Sequence, residues 1–226
     1  MLNGLHSFDR QLRLEVNTDP VPYCSAMERM QEMFLDRQNL TMPDTLWLLS
    51  HPPVFTVGVR TRREHLPAST TIPVVHTKRG GQLTYHGPGQ LVGYLVVGLR
   101  SHEGVVDYVR EVETRLVHAI EQLGVPAERR DTPIGSQLLT GVWARNTGRK
   151  IASIGMRSGR GVTTHGFSIN VIGDLSPWNQ AVPCGMPDVE MTSLEHELIE
   201  VDRPVPDMRQ VRSAVASAFE ATKTVR

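Results

Sequence analysis

Apolar positions recur at helical spacing in three stretches of the chain. Tyr23, Met27, Met30 and Phe34 form one stripe after Asp19-Pro20; Val105, Val109, Val112, Leu116, Ile120 and Leu123 form a second that stops at Gly124; Met208, Val211, Val215 and Phe219 form a third near the C-terminus. These predict helices with the Met and aromatic stripes in the core, and Cys24, on the Met-rich stripe, is expected to be buried packing. Short runs rich in β-branched and aromatic residues lie between them: TLWLL (45–49), VFTVG (54–58), IPVVHT (72–77), LVGYLVVGL (91–99), KIASIGM (150–156) and FSINV (167–171). Helices and strands are grouped rather than alternating, which predicts an α+β fold, a mixed or antiparallel sheet covered by helices. No Ser/Gly-rich or charged linker divides the 226 residues, so one domain over 1–226 is expected.

Charge narrows the function. A formal charge of zero and a pI near 7.1 argue against a nucleic-acid binder resting on cationic excess. Apolar runs stay below the roughly 18 residues that a membrane span needs, and the N-terminus lacks a signal core or basic presequence, so a cytoplasmic protein without membrane contact is expected. Two cysteines, Cys24 and Cys184, make a poor disulfide framework and are read as free thiols. Neutrality also hides an imbalance. No acid lies between Glu64 and Glu103, where Lys78, Arg79 and Arg100 fall, nor between Asp131 and Asp174, where Arg145, Arg149, Lys150, Arg157 and Arg160 fall. Should these stretches meet, they would draw in an anionic ligand or acidic protein and lower the pKa of a nearby thiol; cations around Arg79, Arg145 and Arg149 are the expected steering charges.

Three segments carry candidate chemistry. KRGGQLTYHGPGQLVGYLVV (78–97) holds five glycines and a proline; it could bring bare backbone to a ligand or simply make a hairpin turn, and it lacks the order of a nucleotide-phosphate loop. In GRKIASIGMRSGRGVTTHGFSINV (148–171), Lys150 opens an apolar strand, either as a surface charge or as an acid/base whose stem is drawn inward. In VPCGMPDVEMTSL (182–194), Cys184 sits between Pro183 and Gly185, suited to an exposed thiol with backbone N–H groups near a developing oxyanion. A lysine beside a thiol stabilises thiolate, which can attack an acyl carbonyl; the lysine can then take a proton from an incoming amine. His76, His86, His165 and Cys184 show no metal-ligand spacing, so no metal is expected.

Taken in order, RGGQLTYHGPGQLVGY, KIASIG, VTTHGFSINV and PCGMPDVEMTSL resemble the lipoyl(octanoyl) transferases over about residues 44–195. That resemblance implies a fold like biotin-protein and lipoate-protein ligase catalytic domains. It implies transfer of octanoyl from the phosphopantetheine thiol of acyl carrier protein to a lysine of lipoyl domains, those of 2-oxoacid dehydrogenase complexes and of the glycine cleavage H protein, with no cofactor beyond the donor's phosphopantetheine. Cys184 resembles the thioester nucleophile and Lys150 its partner. Arg79, Gly80, Gly81, Gln82, Leu83, Thr84, Tyr85 and His86, with Ser153, Ile154, Gly155, Gly166, Phe167 and Ser168, resemble the segments lining the acyl site. Lys78 and Arg79 are expected to hold the pantetheine phosphate or the carrier's acidic surface. The chain departs from the family pattern at Leu95 (often proline), Gly161 (commonly aromatic) and Ser168 (commonly alanine), positions expected to bear on pocket length. An ATP-dependent ligase of the same fold and a noncatalytic carrier-binding module are the alternatives.

Overall fold

The computed structural model describes residues 10–132, 139–182, 186 and 188–223. Helices stand where the three stripes place them, with a short one besides: α1 Tyr23–Gln38, α2 Val105–Gln122, α3 Leu194–Ile199 and α4 Met208–Ala218. Local chemistry sets their ends. Gly124 at φ +97° turns the chain after α2. Ser193 Oγ accepts from His196 N to start α3, and Asp207 and Gln210 form a reciprocal capping box on α4.

The strands are β1 Leu12–Val16, β2 Thr45–Leu49, β3 Val54–Val57, β4 Val74–His76, β5 Leu83–His86, β6 Gln90–Val96, β7 Ala127–Glu128, β8 Val142–Ala144, β9 Lys150–Gly159, β10 Val162–Asn170 and β11 Ala221–Thr222. Eight form a mixed sheet in the order β11-β1-β2-β6-β10-β9-β8-β7, with β1 parallel to both neighbours and the other pairs antiparallel. Three form a second sheet, β4-β3-β5. The β9–β10 hairpin turns through Arg160 (φ +49°) and Gly161 (φ +77°), two left-handed residues that match the twist of the strands.

Period-two alternation explains the layers. On β2, Leu46 and Leu48 enter a core shared with α2 and α4, while Trp47 and Leu49 enter a second core under α1 with Met30, Met33 and Val96. The strand is therefore buried on both faces, which is why its sequence is a continuous apolar run. The three-stranded sheet closes over its own cluster of Phe55, Val57, Leu83, Tyr85 and Trp178. Five strands lie outside the runs read from the sequence, β1, β5, β7, β8 and β11, and of these β7 and β11 are two-residue edge strands with no periodicity to detect.

Candidate active site

A narrow cleft with about 20 Å³ of free volume lies between the α1-covered face of the large sheet and strand β5 of the small one. Strand alternation selects its lining. Thr84 and His86 of β5 face it while Leu83 and Tyr85 turn into the small sheet's cluster. Ser153 and Gly155 of β9 face it while Ala152, Ile154 and Met156 enter the main core. On β10 the alternation breaks at His165, which is buried at φ +61°; His165, Gly166, Phe167 and Ser168 all reach the cleft in succession. Val92 and Tyr94 of β6 and Tyr23 of α1 complete it.

Of the residues predicted to line an acyl site, Arg79, Thr84, His86, Ser153, Gly155, Gly166, Phe167 and Ser168 thus share one cleft. Leu83, Tyr85 and Ile154 are core, Gln82 accepts from His65 Nδ1 at 2.9 Å, and Gly81 takes φ +83°. Gly80 donates to the Met156 carbonyl and lines a neighbouring hollow. A Cβ at Gly80 would meet that carbonyl oxygen at 2.4 Å, and one at Gly155 would meet the Gly80 oxygen at 3.0 Å. These two glycines therefore let loop and strand backbones meet, a use beyond the turn or ligand approach weighed from sequence. Tyr23, Val92 and Tyr94 were missed as lining. Tyr23 belongs to an aromatic stripe that reads as core, and only the layering shows that its turn of α1 overhangs the cleft.

Burial governs the cleft's electrostatics. Arg79 is buried with its fork turned onto Thr56 (Nη2 to O 2.7 Å and to Oγ1 2.9 Å) and onto Gly80 O at 3.0 Å. His51, beneath the cleft, shares Nδ1 with Val21 O at 2.6 Å and Nε2 with the Tyr94 hydroxyl at 2.7 Å. Because a carbonyl only accepts, Nδ1 carries the proton and Nε2 accepts from Tyr94. Gln90 donates to Tyr85 O and Asn170 Oδ1, so its Oε1 accepts from His86 Nδ1 at 2.6 Å. Burial pushes His51 and His86 below the usual imidazole range, most strongly His86. It takes His165 down to about 3, helped by Arg79 and Arg157, so all three rings are neutral near pH 7.

Lys150 heads β9 with its side chain buried to 1 % exposure, which decides against the surface-charge alternative. Nζ donates to Thr140 O at 2.8 Å and stands 5.0 Å from the Trp143 ring centroid; among the described residues no carboxylate pairs with it. Cys184 lies outside the described residues. Residues six and eight positions after it bond to Lys150: the Lys150 amide donates to Glu190 O at 2.8 Å, and Thr192 N donates to Lys150 O at 2.9 Å. Asn170, at the cleft's end, donates to Thr192 O. Hydrogen bonds thus run from His86 through Gln90, Asn170 and Thr192 to the backbone of Lys150.

Comparison with known proteins now bears on this arrangement. Residues 22–220 match the family described as the lipoyl protein ligase A/B catalytic domain. The chain belongs to that family. It is 56% identical over 196 residues to the octanoyltransferase of Frankia casuarinae, covering 86% of this chain and 89% of the relative, and 42% identical to that of Mycobacterium tuberculosis, covering 88% and 81%. The resemblance read from the four motifs is therefore borne out. Among solved structures, a bipartite lipoate protein ligase from Thermoplasma acidophilum superposes with TM-score 0.69 at 15% identity, over 96% of this chain and 87% of its own. A biotin acetyl coenzyme A carboxylase synthetase from Helicobacter pylori gives 0.50 at 10%, over 93% and 74%. At such identities these confirm the expected fold.

Three expectations about this family member need correction. Cys24 is exposed: the inward positions of α1 are Tyr23, Ala26, Met30 and Met33, and residue 24 falls about 100° round the helix from Tyr23. Arg79, Arg145 and Arg149, expected to steer an acidic partner, do not form an open cationic surface. Arg79 is buried, Arg145 pairs with Glu121 at 2.8 Å, and Arg149 pairs with Glu197 and Glu200, acids of the C-terminal part that packs over it. The acid-free stretches do meet, at exposed Lys78 and Arg157, which flank the same two hollows beside the cleft. Finally, of the three departures only Ser168 lines the cleft, since Leu95 is core and Gly161 sits in the β9–β10 turn. Among the described residues no group of three His, Cys, Asp or Glu could hold a metal, and no helix is long and apolar enough to cross a membrane.

Proposed function

We propose that this chain is an octanoyltransferase. It takes octanoyl from the phosphopantetheine thiol of octanoyl-acyl carrier protein onto Cys184, then passes it to a lysine of a lipoyl domain. In the first step the Cys184 thiolate attacks the donor carbonyl, a new thioester forms, the bond to the pantetheine sulfur breaks, and that sulfur leaves as thiol with the proton of the Lys150 ammonium, which leaves Lys150 neutral. In the second the acceptor amine attacks that thioester, an amide forms, Cys184 leaves as thiolate, and the amine's proton passes to Lys150. Only the donor's phosphopantetheine serves as cofactor. The whole chain acts as one catalytic domain, in the cytosol where thiols stay reduced.

The observation that carries this reading is Lys150. A buried lysine with no carboxylate partner among the described residues, at the head of a cleft-lining strand and bonded to the chain shortly after Cys184, suits activation of a thiol. His86 and His165 are the other candidate bases, but burial holds both imidazoles far below neutrality, so neither gains a proton readily. The names of the similar proteins support octanoyl as the acyl group.

Intact mass after mixing with octanoyl-acyl carrier protein tests it. One octanoyl adduct is expected, released by hydroxylamine, lost in Cys184→Ser and kept in Cys24→Ser. Exposure of Cys24 makes the second variant a necessary control. Activity retained by Cys184→Ala with ATP and free octanoate would point to a ligase instead.

A further inference from the structure

Beyond the cleft lies a second, larger hollow of about 330 Å³. Met27, Met30 and Val75 supply apolar surface there, and the two spaces share two walls, Tyr23 and His165. The Tyr23 side chain is held by its neighbours. The Tyr23 ring packs edge-on against His51 at 5.3 Å and stacks with His86 at 6.2 Å, and its hydroxyl donates to Thr77 Oγ1 at 3.4 Å. His165 N donates to Met30 Sδ at 3.1 Å, and the residue's left-handed backbone, uncommon for a side chain of this size, sets its ring beside Tyr94.

The strands give the cleft a direction. Lys150 begins β9, Ser153 follows about 10 Å along it and Gly155 about 16 Å along it at about 3.3 Å per residue. Gly155 pairs with Gly166, next to His165. An acyl chain entering from the Lys150 end therefore runs past Ser153 and Ser168, between strands kept low by Gly155 and Gly166, and meets Tyr23 and His165 at the far end.

We propose that Tyr23, backed by His165, is the end wall that sets acyl-chain length, and that the hollow beyond accepts the tail of a longer fatty acyl chain once the wall is removed. This rests on the transferase reading above. The shared walls of two cavities carry it, and it assigns specificity to a helix residue outside the four sequence motifs.

The test is transfer to a lipoyl domain from hexanoyl, octanoyl, decanoyl and dodecanoyl carrier proteins, each as kcat/KM. In wild type the rate should fall steeply beyond the length that reaches the wall, since a single methylene alters discrimination by about tenfold or more in a closed pocket. Tyr23→Ala should raise the dodecanoyl-to-octanoyl ratio at least tenfold. Tyr23→Phe should keep the wild-type ratio, because the wall is ring bulk rather than a hydroxyl. Met30→Ala, which removes the apolar side chain packed against His165 on the hollow's side, should move the ratio in the same direction as Tyr23→Ala and serves if that variant does not fold. Octanoyl transfer with an unchanged ratio in both alanine variants overturns the wall alone. Wild-type protein that transfers none of the four chains overturns the transferase reading and the wall with it.

Discussion

At the scale of single residues, burial does most of the chemistry. Lys150 has room for an ammonium between Thr140 O and Trp143, and little more, since a Cβ at Gly141 would already stand 2.6 Å from Lys150 Cε. Lys150→Arg keeps a charge but cannot take a proton near neutrality and must force a broader head into that space. It should acylate slowly and then accumulate as acyl-enzyme when a lipoyl domain is added, while Lys150→Ala should lose both steps; single-turnover acylation and transfer, measured separately, check this. The buried histidines make a second prediction. His51, His86 and His165 have folded pKa values below the unfolded value of about 6.5, so the unfolded chain binds more protons in that window and stability falls as pH drops from about 6.5 towards 3. Glu111 acts the other way: its folded value of about 7 favours the native state in acid and loses that contribution between its unfolded value and about pH 7. Urea midpoints across pH 4 to 7 should therefore show a net acid loss, smaller in His165→Gln, where one of the three rings is gone.

At the scale of elements, the cleft depends on how closely β6, β9 and β10 approach one another. Gly166 pairs with Tyr94 on one side and Gly155 on the other, and a Cβ there would meet Gly93 O at 2.1 Å. Gly166→Ala should cost about 1–3 kcal/mol through overpacking and should lower octanoyl transfer by more than a loss of folded protein explains. Thermal unfolding beside activity per folded molecule separates the two effects. In the sequence Gly166 is one glycine in a strand, a mark of a bulge or of close backbone approach, but which backbone approaches is set only by register. Helices were legible because their apolar stripes persist over several turns, whereas β1, β5, β7, β8 and β11 were not: β1, β5 and β11 are set by partners distant in sequence, and β7 and β8 are only two and three residues long.

For the whole molecule, a net charge of zero conceals a division of labour. Arg145 and Arg149 are neutralised locally, while Lys78 and Arg157 stay exposed beside the cleft. Apparent affinity for an acidic carrier protein should thus weaken with salt, with a Debye length of about 8 Å at 0.15 M. The double change Lys78→Glu and Arg157→Glu should remove most of that dependence, as should replacing the carrier by octanoyl-pantetheine; equal salt sensitivity for all three pairings would rule steering out. By itself the sequence determined the helix stripes, the strand-rich middle, the α+β class and, through four ordered motifs, the family. These are local patterns or short segments, and they survive without knowledge of contacts. Only the tertiary structure decided that Tyr23 overhangs a cleft rather than filling a core, that Lys150 is buried, that Cys24 is not, and which cations remain unpaired. Burial and charge pairing depend on which surfaces meet when sheets and helices close, and no single segment of chain carries that information.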